Sequence, residues 1–153
     1  MPGDVINESI LIIASVILIG ALVGPVYIGI TYAGSSISSS ALMSSQKLLT
    51  DVQIDYASNT SSTSLLVFVQ NVGGVPVANI GSSTMYFGLE NQEAPIGFGG
   101  PAPNWNTSVA TLNPGQTMQV NITLSQALAT GQFYTVMYVT PNGVSSSYTF
   151  QVS

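Results

Sequence analysis

Residues 3–30 read GDVINESILIIASVILIGALVGPVYIGI, and no residue from Ser9 to Gln46 carries a charge. From Ile10 to Ile30 nearly every side chain is apolar. At about 1.5 Å of rise per residue, that run is long enough in a helix to cross a hydrocarbon layer of roughly 30 Å. The apolar residues fall all round the helix rather than on one stripe, so lipid or protein must surround it on every side. A single small domain cannot supply that cover. A secretory signal would carry a basic region, a shorter apolar core and a small-residue cleavage site, and the basic region is missing here.

Beyond Ile30 the chain turns Ser-rich but keeps apolar residues at Ile37, Leu42, Leu48 and Leu49, which predicts a helix over residues 4–50. Serines in such a helix can bond back to main-chain carbonyls. Gly24 and Pro25 interrupt its middle. Pro25 lacks a donor and crowds the preceding turn, which predicts a kink or local melting there. At the other end, Asp4 or Asn7 can cap the first free N–H groups, and Glu8 favours the positive end of the helix dipole.

From Asp51 the period changes to two. DVQIDYAS, SLLVFVQN, STMYFGL, TMQVNITL, QFYTVMYV and SSSYTFQV are short runs rich in β-branched and aromatic residues. NVGGVP, NQEAPIGFGGPAPN, LNPGQ and TPNGV separate them, with Gly, Pro and Asn where tight turns need them. Residues 51–153 therefore read as an immunoglobulin-like antiparallel β-sandwich. The fold class is α+β, one sandwich on a long N-terminal helix.

Composition removes whole classes of function. Of 153 residues only 5% are charged, the net charge is −5 and the sole basic side chain is Lys47. Clustered Lys and Arg are needed to neutralise phosphates, so nucleic acid is excluded as a partner. There is no His and no Cys, which removes thiolate catalysis, His-based acid–base chemistry, zinc sites and disulfides. No catalytic residue, metal site or cofactor is expected. Ser, Thr, Asn and Gln must supply the polar surface, which suits an acidic or otherwise harsh exterior. Asp51 with Asp55, and Glu90 with Glu93, read as solvated acids, since neither pair supplies the converging oxygens that calcium needs. Tyr86, Phe87, Phe133, Tyr134, Tyr138, Tyr148 and Phe150 mostly alternate with polar neighbours and read as sandwich core. Trp105, between Asn104 and Asn106, reads as an exposed aromatic contact or a loop anchor.

The order Gly3, then Asp4-Val5-Ile6-Asn7-Glu8, then an unbroken apolar run resembles the start of type IV pilins and archaeal flagellins. The resemblance implies a leader of residues 1–3, cut by a membrane peptidase between Gly3 and Asp4. Glu8 then stands at the fifth mature position and neutralises the N-terminal amine of the neighbouring subunit. VQNVGG and LNPGQTMQVNITL are similar to recurrent hairpins in the outer domain of archaeal flagellins and of archaellum accessory subunits.

The implied function is that of a surface filament subunit of the archaeal type IV pilin superfamily, serving adhesion or surface motility. Its helix would lie in the cytoplasmic membrane before assembly and in the core of a helical homopolymer afterwards. Ile10, Leu11, Ile12, Ile13, Val16, Ile17, Leu18, Ile19, Leu22 and Val23 are the expected assembly residues. A second reading within the superfamily is an archaellum filament subunit or an accessory stator that binds the surface layer. A reading of another class is a monomeric membrane-anchored domain that binds carbohydrate.

Asn59, Asn106 and Asn121 each begin an Asn-X-Ser/Thr triplet and are candidate glycosylation sites. Asn59 and Asn106 are expected in loops, and Asn121 on the outward side of a strand whose Val120 and Ile122 face the core. Asn7 also begins such a triplet but lies too close to the helix start.

Overall fold

The computed structural model describes residues 2–153; Met1 of the expected leader lies outside them. A single helix, α1, runs from Pro2 to Leu49 with no buried residue. Proline suits a first helical turn, where its missing N–H would have no helical partner. Asp4 in the first turn and Lys47 in the last complement the helix dipole. Pro25 lies inside α1 and does not end it, so the segment is not melted there. The serines and threonines fold back as their chemistry allows: Thr31 donates to the Tyr27 carbonyl at 2.9 Å, and Ser35 and Ser36 both donate to the Tyr32 carbonyl at 2.9 Å.

The chain divides into two compact units, one ending at Met43 and the other comprising Ser44–Ser153. The last turns of α1 thus belong with the β-domain. That domain contains β1 (Val52–Ser61), β2 (Ser64–Asn71), β3 (Val77–Ala78), a 3-10 turn (Ile80–Ser82), β4 (Thr84–Leu89) and β5 (Ala94–Phe98). It continues through β6 (Asn104–Asn106), β7 (Thr111–Leu112), β8 (Thr117–Thr123), β9 (Phe133–Val139) and β10 (Ser145–Gln151).

Eight strands form one sheet in the order β1-β2-β8-β6-β5-β4-β9-β10, and β3 pairs with β7 separately. Pairing is antiparallel except between β5 and β6, which run parallel through Gly97 with Asn104 and Phe98 with Trp105. The sheet folds over on itself, and its two end strands meet where the Ile54 N–H donates to Ser146 Oγ at 3.1 Å. The result is sandwich-like, with the apolar residues of both halves turned inward.

The alternation that identifies the strands also fills the core. Leu65, Val67 and Val69 of β2 and Met118, Val120 and Ile122 of β8 are all buried. Trp105 and Tyr138 are the largest fully buried side chains, edge to face with ring centroids 6.3 Å apart. Strand β1 breaks the alternation after Ile54 and again near its end, between Asn59 and Ser61. A register shift between Ile54 and Tyr56 leaves Asp55 and Tyr56 both exposed and returns Ala57 to the core.

Four short strands differ from the sequence expectation. β5 and the start of β6 lie in NQEAPIGFGGPAPN, which reads as a turn, while β3 and β7 are two residues each. Asn59 is in β1 and Asn106 ends β6, so neither sits in the loop expected for it. Trp105 is not an exposed contact: it has no accessible surface and packs against Phe98, with ring centroids 4.7 Å apart. Of the aromatics assigned to the core, Phe87, Tyr138 and Phe150 are buried and Phe133 is half-exposed.

Candidate functional site

Gly3, Asp4 and Glu8 lie exposed in the first turns of α1. Ile10, Leu11, Ile12, Ile13, Val16, Ile17, Leu18, Ile19, Leu22 and Val23 follow with 58–70% of their surface uncovered. An isolated helix of this kind cannot remain in water, because uncovered aliphatic surface costs roughly 25 cal/mol per Å² relative to a buried state. Ile19, Leu22, Val23, Val26, Tyr27 and Ile30 recur at helical spacing and frame a shallow groove of about 400 Å³. The helix can therefore associate with lipid or with other apolar helices, and it carries no charged side chain along Ile10–Ile30.

Where α1 ends, polar groups take over within the second unit. Thr50 Oγ1 donates to the Gln46 carbonyl at 2.7 Å and accepts from Asn142 Nδ2 at 2.7 Å. Thr140 Oγ1 is within 2.6 Å of Asn142 Oδ1, which holds that amide in place. The Gly74 N–H donates to the Leu49 carbonyl at 2.8 Å, and the N–H groups of Val72 and Gly73 donate to the Asp51 carbonyl at 3.0 Å. The contacts to Gln46 and Leu49 satisfy carbonyls that the helix end leaves free, and those to Asp51 fix the residue that follows it.

Asn71 is the second fixed point. Fully buried, it donates through Nδ2 to the carbonyls of Val75 and Leu112, both at 2.9 Å, and accepts from the Gly73 N–H at 3.0 Å. Its main chain donates to the Gln116 carbonyl and accepts from the Gly115 N–H. One amide thus ties the NVGG turn to the LNPGQ turn, and this is why those two motifs occur together. Gly115 supports the second turn with a positive φ of 76°.

The titratable groups give no catalytic constellation. Among the described residues, no three Asp or Glu side chains converge to hold a metal ion. Asp51 and Asp55 are exposed, and Glu93 accepts from the Asn91 N–H at 3.1 Å. Burial pushes the Tyr138 hydroxyl above its ordinary pKa, partly offset by its hydrogen bond with Ser83 Oγ at 2.8 Å. An apolar groove of about 390 Å³ lies between Phe87, Pro95, Pro103, Leu124, Leu128 and Tyr134, without a charged side chain in its lining. Of the three candidate asparagines, Asn59 is half-buried while Asn106 and Asn121 are exposed, and Asn121 stands between buried Val120 and Ile122 as its strand pattern predicts.

The archaellum periplasmic stator protein FlaG from Sulfolobus acidocaldarius is 41% identical, with a TM-score of 0.65, over 67% of this chain and 100% of that one. The chain belongs to the FlaG family of archaellum proteins. The same relative in the FlaF–FlaG stator complex matches at 41% identity and a TM-score of 0.64, over 67% of this chain and 90% of that one. The archaeal flagellum of Methanospirillum hungatei strain JF1 is 18% identical with a TM-score of 0.68, over 95% of this chain and 92% of that one. That likeness concerns the fold, and it extends the shared architecture to nearly the whole length of this FlaG-family chain. No protein-family model and no curated protein sequence matches the chain. The 41% identity makes the chain an archaellum-related surface component, a filament or accessory subunit. The neighbours are structural parts of the archaellum rather than enzymes.

Proposed function

We propose that this chain is an accessory, stator-type subunit of the archaellum. Ile10–Ile30 of α1 holds it in the cytoplasmic membrane, and the β-domain stands outside, where it meets fixed surface structures. The single observation that carries this reading is the 41% identity to FlaG over the whole of that protein's compared length. The relative forms a stator complex with FlaF, and we extend a partner subunit of that kind to this β-domain. Contact with a surface layer or its carbohydrate belongs to the same proposal.

The filament reading keeps one specific support. The helix is uncovered on every side, and the flagellum match spans 95% of the chain, helix included. In that reading the chain is cut between Gly3 and Asp4, Glu8 meets the new amine of a neighbour, and the apolar helices bundle in a homopolymer. Head-to-tail contacts that do not close into a ring generate such an open polymer. A kink at Gly24 and Pro25 would suit both readings. So do glycans on Asn59, Asn106 and Asn121, which would hydrate a surface with few charges.

Shearing archaella from cells, imaging them by electron microscopy and identifying their subunits by mass spectrometry separates the readings. A stator stays with the membrane fraction and is absent from the filament body, and its deletion leaves assembled filaments that do not turn. Recovery of this chain as the main component of sheared filaments would overturn the stator assignment in favour of the polymer.

A further inference from the structure

The outward face of the β-domain carries one continuous row of side chains across four strands. Asn106 of β6 stands opposite Asn121 of β8, Asn121 opposite Leu66 of β2, and Leu66 opposite Ser58 of β1. Their neighbours Trp105, Ile122, Leu65 and Val67 point into the core, so this row points out. The adjacent row places Gln119 opposite Phe68 and Phe68 opposite Tyr56. Leu66 and Phe68 are partly exposed, and neither row carries a charged side chain.

Two of these residues, Asn106 and Asn121, begin Asn-X-Ser/Thr triplets. Directly opposed residues on one sheet face have Cβ atoms about 5 Å apart. A branched glycan is wider than that spacing. Resting on the glycosylation reading above, we infer that Asn106 and Asn121 form one acceptor site that takes a single N-linked glycan, seated over Leu66 and Phe68. The transfer joins Asn Nδ2 to the anomeric carbon of the sugar, breaks that carbon's bond to the phosphate of a lipid-linked sugar donor, and releases an amide proton. Whichever asparagine reacts first blocks the other. The apolar C–H face of a sugar ring then covers Leu66 and Phe68, while the amides of Gln119 and the unmodified asparagine meet its hydroxyls.

The two positions also differ in how open they are. The Asn121 triplet lies in β8 between β2 and β6, held in ladders on both sides, so on the formed sheet it is the less open of the two. The Asn106 triplet leaves β6 after Asn106, and Thr107 Oγ1 donates to the Gln119 carbonyl at 2.8 Å. Its exposed Ser108 remains in a loop.

Intact mass of the full chain, purified from the cells that make it, counts the glycans. In an Asn59→Gln background the expected number is one, and it stays one on adding either Asn106→Gln or Asn121→Gln and falls to none with both. Removing the glycan from the Asn59→Gln protein lowers its thermal midpoint by a few degrees, a shift that Phe68→Ser reduces. Two glycans on one Asn59→Gln molecule overturn the shared site. A wild-type chain glycosylated only at Asn59 also overturns it while the broader glycosylation reading stands; a bare wild-type chain sinks both.

Discussion

Asn142 Nδ2 donates to Thr50 Oγ1 at 2.7 Å, joining residues 92 positions apart in the sequence. Thr50 passes the connection to the last turn of α1 through the Gln46 carbonyl, and Thr140 braces Asn142 from the other side. The β9–β10 turn is therefore the clasp that holds the end of the helix in the second unit.

Removing the clasp has a measurable cost. Asn142→Ala deletes the donor to Thr50 and the acceptor facing Thr140, two neutral hydrogen bonds worth about 0.5–1.5 kcal/mol each. Urea unfolding of the full chain in detergent is expected to show a loss of about 1–3 kcal/mol. Amide exchange should rise first at residues 46–50. Uniform exchange across the β-domain would argue that the contact does nothing local.

Gly73 tests the same joint sterically. A Cβ at this position would overlap the Asp51 N and lie 2.6 Å from the Leu49 carbonyl oxygen, both main-chain atoms that cannot swing aside. Gly73→Ala must push the β2–β3 connection off the helix end, at the roughly 1–3 kcal/mol typical of overpacking. Gly74→Ala, whose Cβ would only touch the Leu49 carbonyl oxygen at 4.0 Å, is the matched control and should be close to neutral in the same thermal melt.

How much of this was legible in the sequence depends on the length of each signal. The apolar run of α1 and the six longer strands announce themselves, because their periods repeat often enough to be read. β6 does not: Asn-Trp-Asn is a single alternation, and its polar flanks make Trp105 look like a loop residue when they are the outward side of a buried strand. β5 is hidden by Pro95 and Gly97, which read as turn residues although Pro95 stands opposite Tyr86 in a ladder. The triplets at Asn106 and Asn121 are visible at once. Their adjacency is not, since it depends on the crossover that places β6 beside β8. What surrounds α1 is likewise outside the reach of one chain's pattern.

Asn71 should be the most sensitive polar position in the β-domain. Asn71→Leu leaves the carbonyls of Val75 and Leu112 and the Gly73 N–H without their partner, at about 1–3 kcal/mol for each group left unsatisfied away from water. A loss of more than about 3 kcal/mol in denaturant unfolding is expected, or failure to fold. Asn71→Asp keeps the acceptor to Gly73 but turns a buried carboxyl toward the Val75 and Leu112 carbonyl oxygens, so it should also be strongly destabilising.

Tyr138 gives the alkaline limit of the fold. Its folded pKa is raised by burial, so the unfolded chain ionises this phenol first, near its ordinary value of about 10. The stabilising contribution is complete below that pH and is lost as pH rises through the folded value. Unfolding free energy should thus fall above about pH 10. Tyr138→Phe should flatten that alkaline fall, at a cost of about 1 kcal/mol at neutral pH for the lost bond with Ser83.

The helix can be separated from the β-domain by one charge. Leu18 lies within the apolar run, exposed on α1, and no residue of α1 is buried against the rest of the chain. Leu18→Asp places a carboxylate where a membrane centre would be, costing about 3 kcal/mol or more relative to leucine. The expected outcome is a shift of the chain from the carbonate-resistant membrane fraction to the soluble or aggregated fraction. The thermal midpoint of the β-domain should stay unchanged, because its core lies in Val52–Val152. Glu8→Gln is the companion variant. If the chain is a stator, it leaves membrane retention and filament rotation intact; if the helix builds a polymer core by pairing Glu8 with a neighbour's amine, it lowers incorporation into filaments while the β-domain still folds. A drop in the β-domain midpoint with Leu18→Asp would show that the helix stabilises the domain directly.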